Sequence, residues 1–155
     1  MRVSMKTEYG VRALCELARS EGGGPVQSAE IARRQRVPGP FLDQVLMTLR
    51  RAGLVRSVRG PHGGHLLSRP AAEIRLDEVI GCLEGGSAAA GSDLQAGPAT
   101  LPALERLARE AELAARRVFA AHTLADLLRL QPEESPVFHG IFKPLPVRGR
   151  RAVRA

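Results

Sequence analysis

Apolar residues in the first third of the chain recur at spacings of three and four, which is typical of helices with one buried face. The pattern predicts a first helix over 6–19, a short second helix over 29–35 with Ser28 as its N-cap, and a third helix over 41–52. A turn rich in proline and glycine at 36–40 separates the second helix from the third. A short helix, a tight turn and a further helix with a polar exposed face predict helix-turn-helix organisation.

The next segment has the pattern of a β-hairpin. Residues 54–58 alternate between apolar and polar positions, a turn of glycine, proline and basic residues follows at 59–64, and a second short strand is predicted at 65–67. Arg59 then lies at the tip of the hairpin. A hairpin that directly follows a helix-turn-helix is a wing.

Beyond the hairpin, the sequence predicts a short helix over 76–83, a loop of small and polar residues over 85–98, and a long helix. A narrow apolar seam with alanines at its centre runs along the long helix at heptad spacing, which suits close packing against a second helix. The seam comprises Leu101, Leu104, Ala108, Ala111, Ala115 and Val118. Thr123 and Asp126 form a predicted capping box for a last short helix that ends at Leu130.

These elements predict a mainly α fold with a small β-hairpin wing: a winged helix-turn-helix plus a long C-terminal dimerisation helix. We expect a DNA-binding domain at 1–84, the loop at 85–98, and the dimerisation helix with the short final helix at 99–130. The remainder, 131–155, contains four prolines and several arginines and is predicted to be a disordered basic tail.

Composition supports a helical fold and an anionic partner. The chain has 155 residues, which suits one domain, and it contains one Tyr, four Phe and no Trp, so its core must be mainly aliphatic. Residues 1–70 carry 12 basic and 5 acidic side chains, a balance of +7, whereas 71–130 carry 6 and 9, a balance of −3. The first half is therefore the half that we expect to face a polyanion.

The cysteines and histidines give no sign of a metal site. Cys15 and Cys82 are far apart and lack ligand spacing, so we expect two reduced thiols, with Cys15 buried and Cys82 more open to a redox role. His62 and His65 span a glycine turn without a third ligand. No apolar run is long enough to span a membrane and no signal-peptide core follows Met1, so we expect a cytoplasmic protein.

Two segments carry a family resemblance: residues 52–67, with the sequence Ala-Gly-Leu-Val-Arg-Ser-Val-Arg-Gly-Pro-His-Gly-Gly-His-Leu-Leu, and the opening Lys-Thr-Glu-Tyr-Gly-Val-Arg-Ala-Leu at 6–14. Both resemble IscR/NsrR/CymR-type winged-helix transcription regulators. The resemblance implies a homodimer that binds a roughly palindromic operator in double-stranded DNA. Its expected contacts, transferred by matching position, are Gly39, Pro40, Phe41, Asp43 and Gln44 on the recognition helix and Arg59 on the wing.

Chemistry agrees with several of these positions. A carboxylate or amide at the groove end of a helix can accept from cytosine N4 or pair with adenine, and an arginine at a hairpin tip can enter the minor groove. His62 shares the hairpin tip with Arg59, and we include it among the candidate DNA contacts. Arg33 and Arg34 are predicted phosphate contacts, although they could also form a solvated helix face.

The chain differs from the cluster-carrying members of this family in the loop at 85–98. Those relatives hold an iron-sulfur centre with three cysteines in this loop, and here the loop contains none. Iron-sulfur clusters need mainly thiolate ligands, so we expect no cofactor. The signal is then expected to be a small molecule, a partner protein or cysteine oxidation.

The sequence therefore predicts a DNA-binding transcription regulator, most simply a homodimeric repressor that responds to an unidentified signal. The alternative is a winged-helix module that docks on a protein partner and binds DNA weakly or without specificity. An enzyme is not expected, because no catalytic triad, phosphate loop or pair of catalytic carboxylates has a convincing context.

Overall fold

The computed structural model describes residues 3–84 and 101–130, and it confirms the predicted mainly helical fold with a hairpin wing. The predicted loop at 85–98 and the predicted tail lie outside the described residues. The elements, in chain order, are α1 (Met5–Arg19), α2 (Ser28–Gln35), α3 (Gly39–Arg51), β1 (Val55–Val58), β2 (Gly64–Leu67), a 3-10 helix (Ala71–Glu73), α4 (Leu76–Leu83), α5 (Pro102–Ala120) and α6 (Leu124–Leu130).

Most of these bounds lie within two residues of the predicted ones, and two details differ. Ser28 is the first residue of α2 rather than its N-cap, which is Gln27 in an extended conformation. The 3-10 helix was not predicted, because three residues are too few to show a period.

One aliphatic core joins the helices and the hairpin. Helix α1 contacts α2, α3, α4 and α6, and it begins after Ser4, whose hydroxyl accepts a 3.2 Å hydrogen bond from the backbone N–H of Thr7. Gly10 allows α1 and α4 to approach closely, since a Cβ at this position would overlap the side chain of Leu83. The largest fully buried side chains are Leu14, Leu17, Ile31, Leu42, Leu46, Leu49, Leu54, Ile74, Leu83 and Leu124.

Helix α6 returns from the long helix to this core. Two backbone hydrogen bonds hold its start: the N–H of Leu76 donates to the His122 carbonyl at 3.0 Å, and the N–H of Leu124 donates to the Ile74 carbonyl at 2.8 Å. We call this pairing of 74–76 with 122–124 the clasp. Leu124 is completely buried in the core that α1 and α4 share.

The predicted capping box at the start of α6 is confirmed. The backbone N–H of Thr123 donates to Asp126 Oδ2 at 2.9 Å, and the backbone N–H of Asp126 donates back to Thr123 Oγ1 at 3.2 Å. Hydrogen bonds from the Thr123 backbone and side chain lower the pKa of Asp126. The box satisfies N–H groups that a helix start leaves without partners.

Candidate nucleic-acid interface

The turn between α2 and α3 sets the direction of the candidate recognition helix. Arg36 ends α2 in the left-handed conformation, with φ 50° and ψ 45°, and the N–H of Val37 donates to the Ala32 carbonyl at 3.0 Å. The Pro38 carbonyl then accepts the first hydrogen bonds of α3, from Phe41 at 3.1 Å and from the following residue at 3.0 Å. The turn is therefore closed by hydrogen bonds on both sides, and it presents the N-terminal end of α3 at the surface.

Helix α3 has one buried face and one exposed face. The buried residues are Leu42, Val45, Leu46 and Leu49. The exposed face carries Asp43, Gln44, Met47 and Arg50. This face offers a carboxylate, an amide, a thioether and a guanidinium within two helical turns, which is the kind of mixed surface that reads base edges.

The three predicted DNA contacts in the first turn of α3 differ in their exposure to solvent. Gly39 and Pro40 are exposed. Phe41 is half-buried, and its ring packs edge-to-face on Tyr9 of α1, with ring centroids 5.4 Å apart and planes at 81°. Phe41 thus anchors the start of α3 on α1, and its ring is turned towards the core.

The wing is a two-stranded antiparallel hairpin with its tip in solvent. Arg59 and His62 are both exposed at this tip. The tip is tight because the N–H of Gly63 donates to the Gly60 carbonyl at 2.9 Å, and a Cβ on Gly63 would overlap the Val58 carbonyl oxygen. The position of Arg59 is consequently set by backbone geometry that only glycine at position 63 allows.

The wing is also tied to the segment before α2. Val26 and His65 exchange two backbone hydrogen bonds, at 3.0 and 2.8 Å, so residue 26 extends the hairpin as an isolated bridge. Burial lowers the pKa of His65; Asp43 opposes this shift and Arg50 adds to it. Charged residues on the exposed face of α3 therefore lie close enough to strand β2 to affect the protonation of His65.

Arg33 and Arg34 are exposed, and both form ion pairs with acidic residues of the same chain. Both donate to Glu30, Arg33 at 3.1 and 2.8 Å and Arg34 at 2.6 Å, and these hydrogen bonds lower the pKa of Glu30 to about 2. Arg34 also donates to buried Glu16 of α1 at 2.6 Å, and Glu16 accepts a second bond from Gln35 at 2.9 Å. Arg34 therefore joins α2 to α1, whereas Arg33, with 72% of its side chain exposed, can still turn towards a phosphate.

A second set of arginines lies on α3 and the hairpin, and of these only Arg59 was predicted from the sequence as a DNA contact. Arg50 and Arg51 at the end of α3 and Arg56 and Arg59 on the hairpin form no ion pair with any residue of 3–84 or 101–130. All four are exposed. The sequence held a signal for them, because no acidic residue occurs between positions 43 and 73. We call these residues the arginine patch.

Helix α5 exposes an apolar stripe. None of its residues is buried, although α5 contacts α4. The exposed apolar residues at spacings of three and four are Leu104, Leu107, Ala111, Ala114 and Val118. Leu101, at the N-cap of α5, is exposed as well. Of the predicted seam, Ala108 and Ala115 are half-buried, so the exposed surface is rotated by a fraction of a turn from the predicted one.

The described residues offer no ligand set for iron. Among residues 3–84 and 101–130, no three His, Cys, Asp or Glu side chains come together as metal ligands would. Burial raises the pKa of Cys15 to about 11 and also raises that of Cys82, so neither thiol is poised as a thiolate. Two such cysteines do not fit an iron-sulfur cluster. Within the same residues, no helix has the length and apolarity to cross a membrane.

Comparison with protein families points to transcription regulators. Residues 3–130 match the Rrf2 family, described as iron-dependent transcriptional regulators. A putative HTH-type transcriptional regulator of Mycobacterium tuberculosis is 39% identical over 132 residues, which cover 82% of this chain and 81% of that protein. The IscR regulator of Cereibacter sphaeroides is 44% identical over 86 residues, 54% of this chain and 56% of that protein. The chain spans little more than half of this relative and 57% of a similar Synechocystis regulator.

Solved structures of transcription regulators are similar in fold to this chain. The structure of T. potens IscR has a TM-score of 0.71 and 33% identity, covering 87% of this chain and 94% of that one. CymR, described as the global cysteine regulator of B. subtilis, has a TM-score of 0.71 and 31% identity, covering 85% of this chain and 99% of that one.

Proposed function

Because the chain belongs to the Rrf2 family of transcriptional regulators, we propose that it binds a palindromic operator in double-stranded DNA as a homodimer and represses transcription there. The observation that carries the proposal is the arginine patch. The four arginines of α3 and the hairpin form no ion pair among the described residues, and guanidinium groups bind phosphate oxygens in a bidentate manner.

Specific recognition is assigned to Asp43 and Gln44 on the exposed face of α3. In the major groove, the carboxylate of Asp43 accepts from cytosine N4 and the amide of Gln44 pairs with adenine. Gly39 has no side chain, so the backbone of the first turn can approach the DNA, and Pro40 is exposed beside it. Arg59 enters the minor groove beside it, where a narrow groove concentrates negative potential. His62, at the same tip, contacts the DNA backbone next to this groove.

Phosphate binding fixes the protein on the duplex. Arg50, Arg51 and Arg56 supply charge without sequence information. Arg33 adds a contact from α2, and binding to phosphate replaces its bonds to Glu30. Arg34 acts indirectly by holding α2 on α1 through Glu16.

Dimerisation is assigned to the apolar stripe of α5. A second copy of α5 packed on Leu104, Ala111 and Val118 removes their side chains from water, and the alanines allow a close approach. Two winged units joined in this way contact half-sites about one helical turn apart or a multiple of it, which accounts for a palindromic operator.

The signal is assigned to a small molecule or a partner protein, since the cysteines do not fit a cluster and burial raises the pKa of both thiols, which disfavours their oxidation. We expect protein purified without oxygen to be colourless and to bind its operator equally with and without iron and sulfide. Near-stoichiometric iron with the absorbance of a cluster, measured by metal analysis and spectroscopy, contradicts this part of the proposal.

Selection of bound fragments from genomic DNA tests the function, followed by binding titrations at several salt concentrations. Arg59→Ala should weaken binding to the selected operator by about 1–3 kcal/mol, and Asp43→Ala should change the preferred bases. Removal of one phosphate-binding arginine, such as Arg51, should reduce the salt slope by about one. A selected pool without a shared sequence, or wild-type binding that does not respond to salt, overturns the proposal.

The dimer is tested separately by sedimentation. Ala111→Glu places a charge in the apolar stripe, and we expect it to dissociate the dimer and abolish cooperative binding to two half-sites. Arg106→Glu is the matched control, because Arg106 is exposed on α5 outside the stripe. If the Ala111→Glu variant still sediments as a dimer, the dimer interface lies on another surface.

A further inference from the structure

The exposed face of α3 contains one large apolar side chain, Met47, among polar and charged ones. The proposed contacts of the polar and charged residues give no reason for an exposed apolar side chain at this position. Met47 is 42% exposed, whereas the neighbouring core leucines of α3 are almost fully covered. It lies one helical turn after Asp43 and Gln44 and one turn before Arg50 and Arg51, so polar and charged groups surround it on both sides. A thioether at the centre of a charged face meets whatever that face binds.

Only one apolar group protrudes from base edges into the major groove, the C5 methyl of thymine. We propose that Met47 recognises a thymine by packing against this methyl group; this inference rests on the proposed binding of α3 in the major groove. The side chain suits the role, because methionine is long, unbranched and polarizable and adapts its shape to an irregular surface.

The position of Met47 also says where the thymine lies. One turn of an α-helix advances about 5.4 Å, and successive base pairs are about 3.4 Å apart. A residue one turn beyond Asp43 therefore reaches a base about one or two steps from the base that Asp43 contacts. The thymine is expected within two base pairs of the position whose preference changes in Asp43→Ala.

Deoxyuridine supplies the test, because it lacks only the C5 methyl of thymine. Each thymine of the selected operator is replaced in turn, symmetrically in both half-sites, and affinity is measured by fluorescence anisotropy. At one position near the Asp43 base, loss of a buried methyl should weaken wild-type binding about fourfold per half-site. Met47→Ala should bind the thymine and uracil operators equally at this position. Met47→Leu, which keeps an apolar side chain, should retain part of the preference for thymine.

Met5→Ala is the matched control, since Met5 is a 49% exposed methionine on α1, and it should keep the full wild-type preference. The inference is overturned if no thymine within two base pairs of the Asp43 position is sensitive to uracil. It is equally overturned if Met47→Ala keeps the wild-type ratio of thymine to uracil affinity. Wild-type protein that binds no DNA selectively refutes the proposed function itself, and the two failures are thereby distinguished.

Discussion

Replacing Leu124 by alanine should destabilise the winged-helix core, although Leu124 follows the long helix in the chain. The side chain is completely buried, and α6 contacts both α1 and the 3-10 helix. A segment that only extended from the long helix would contribute little to the stability of the DNA-binding unit. The structure instead makes α6 a part of its core.

The size of the effect follows from the burial of Leu124. Leucine exceeds alanine by three carbon atoms, and at about 0.8 kcal/mol for each buried methylene the lost transfer free energy is about 2.4 kcal/mol. A residual cavity of about 60 Å³ adds about 1.4 kcal/mol at about 24 cal/mol per Å³. The free energy of unfolding should therefore fall by about 2.5–4 kcal/mol, the lower value applying if neighbouring side chains fill the space.

Urea denaturation followed by circular dichroism measures this difference at one fixed protein concentration, because dimerisation couples stability to concentration. Leu130→Ala is the matched control: Leu130 belongs to the same helix and is 71% exposed. Its loss should cost less than about 0.5 kcal/mol. Equal unfolding free energies for the two variants refute the packing of α6 into the core.

Three further predictions concern single side chains. Gly63→Ala should weaken operator binding at least as much as Arg59→Ala while leaving the circular dichroism spectrum of the helices unchanged, because a Cβ overlaps the Val58 carbonyl and distorts the hairpin tip; unchanged affinity in an anisotropy titration argues against the wing contact. At pH 8, Cys15 should react with iodoacetamide about 100-fold more slowly than an ordinary thiol, given a pKa of about 11 against 9.0, and mass spectrometry that finds equal labelling in native and urea-unfolded protein contradicts this. The lowered pKa of His65 means that its contribution to stability is present above pH 6.5 and is lost as the pH falls through its folded pKa; His65→Gln should have a flatter decline in urea midpoint between pH 7.5 and 5.5 than wild type.

Elements with a strong local pattern could be predicted from the sequence. Helix α4 has the predicted bounds, since Leu76, Val79 and Leu83 recur at spacings of three and four and are buried. The capping box at Thr123 is equally local, because both partners lie within three residues. Patterns of this kind depend on backbone geometry that neighbouring residues share, so they need no knowledge of the fold.

Contacts between distant positions could not be predicted. Arg34 is drawn to Glu16 across 18 positions, and Phe41 packs on Tyr9; no local pattern announces either pair. The burial of Leu124 likewise depends on the clasp. In contrast, the arginine patch could have been found, since charge pairing on helices and hairpins is mostly local and no acidic residue lies between positions 43 and 73.

The clasp has a consequence for how the sequence of such a protein can change in evolution. It fastens 122–124 to 74–76, so the chain leaves the winged-helix core after α4 and returns to it before α6. Helix α5 thus follows one element of this core and precedes another, and segments that connect two parts of one folded body change length and sequence at small cost to it. We therefore expect that a lineage can change the segment between α4 and the clasp while the winged helix-turn-helix keeps its fold. Engineered hybrids that join this winged helix-turn-helix to the corresponding segment of a relative can place one boundary directly after α4 and the other between α5 and the clasp.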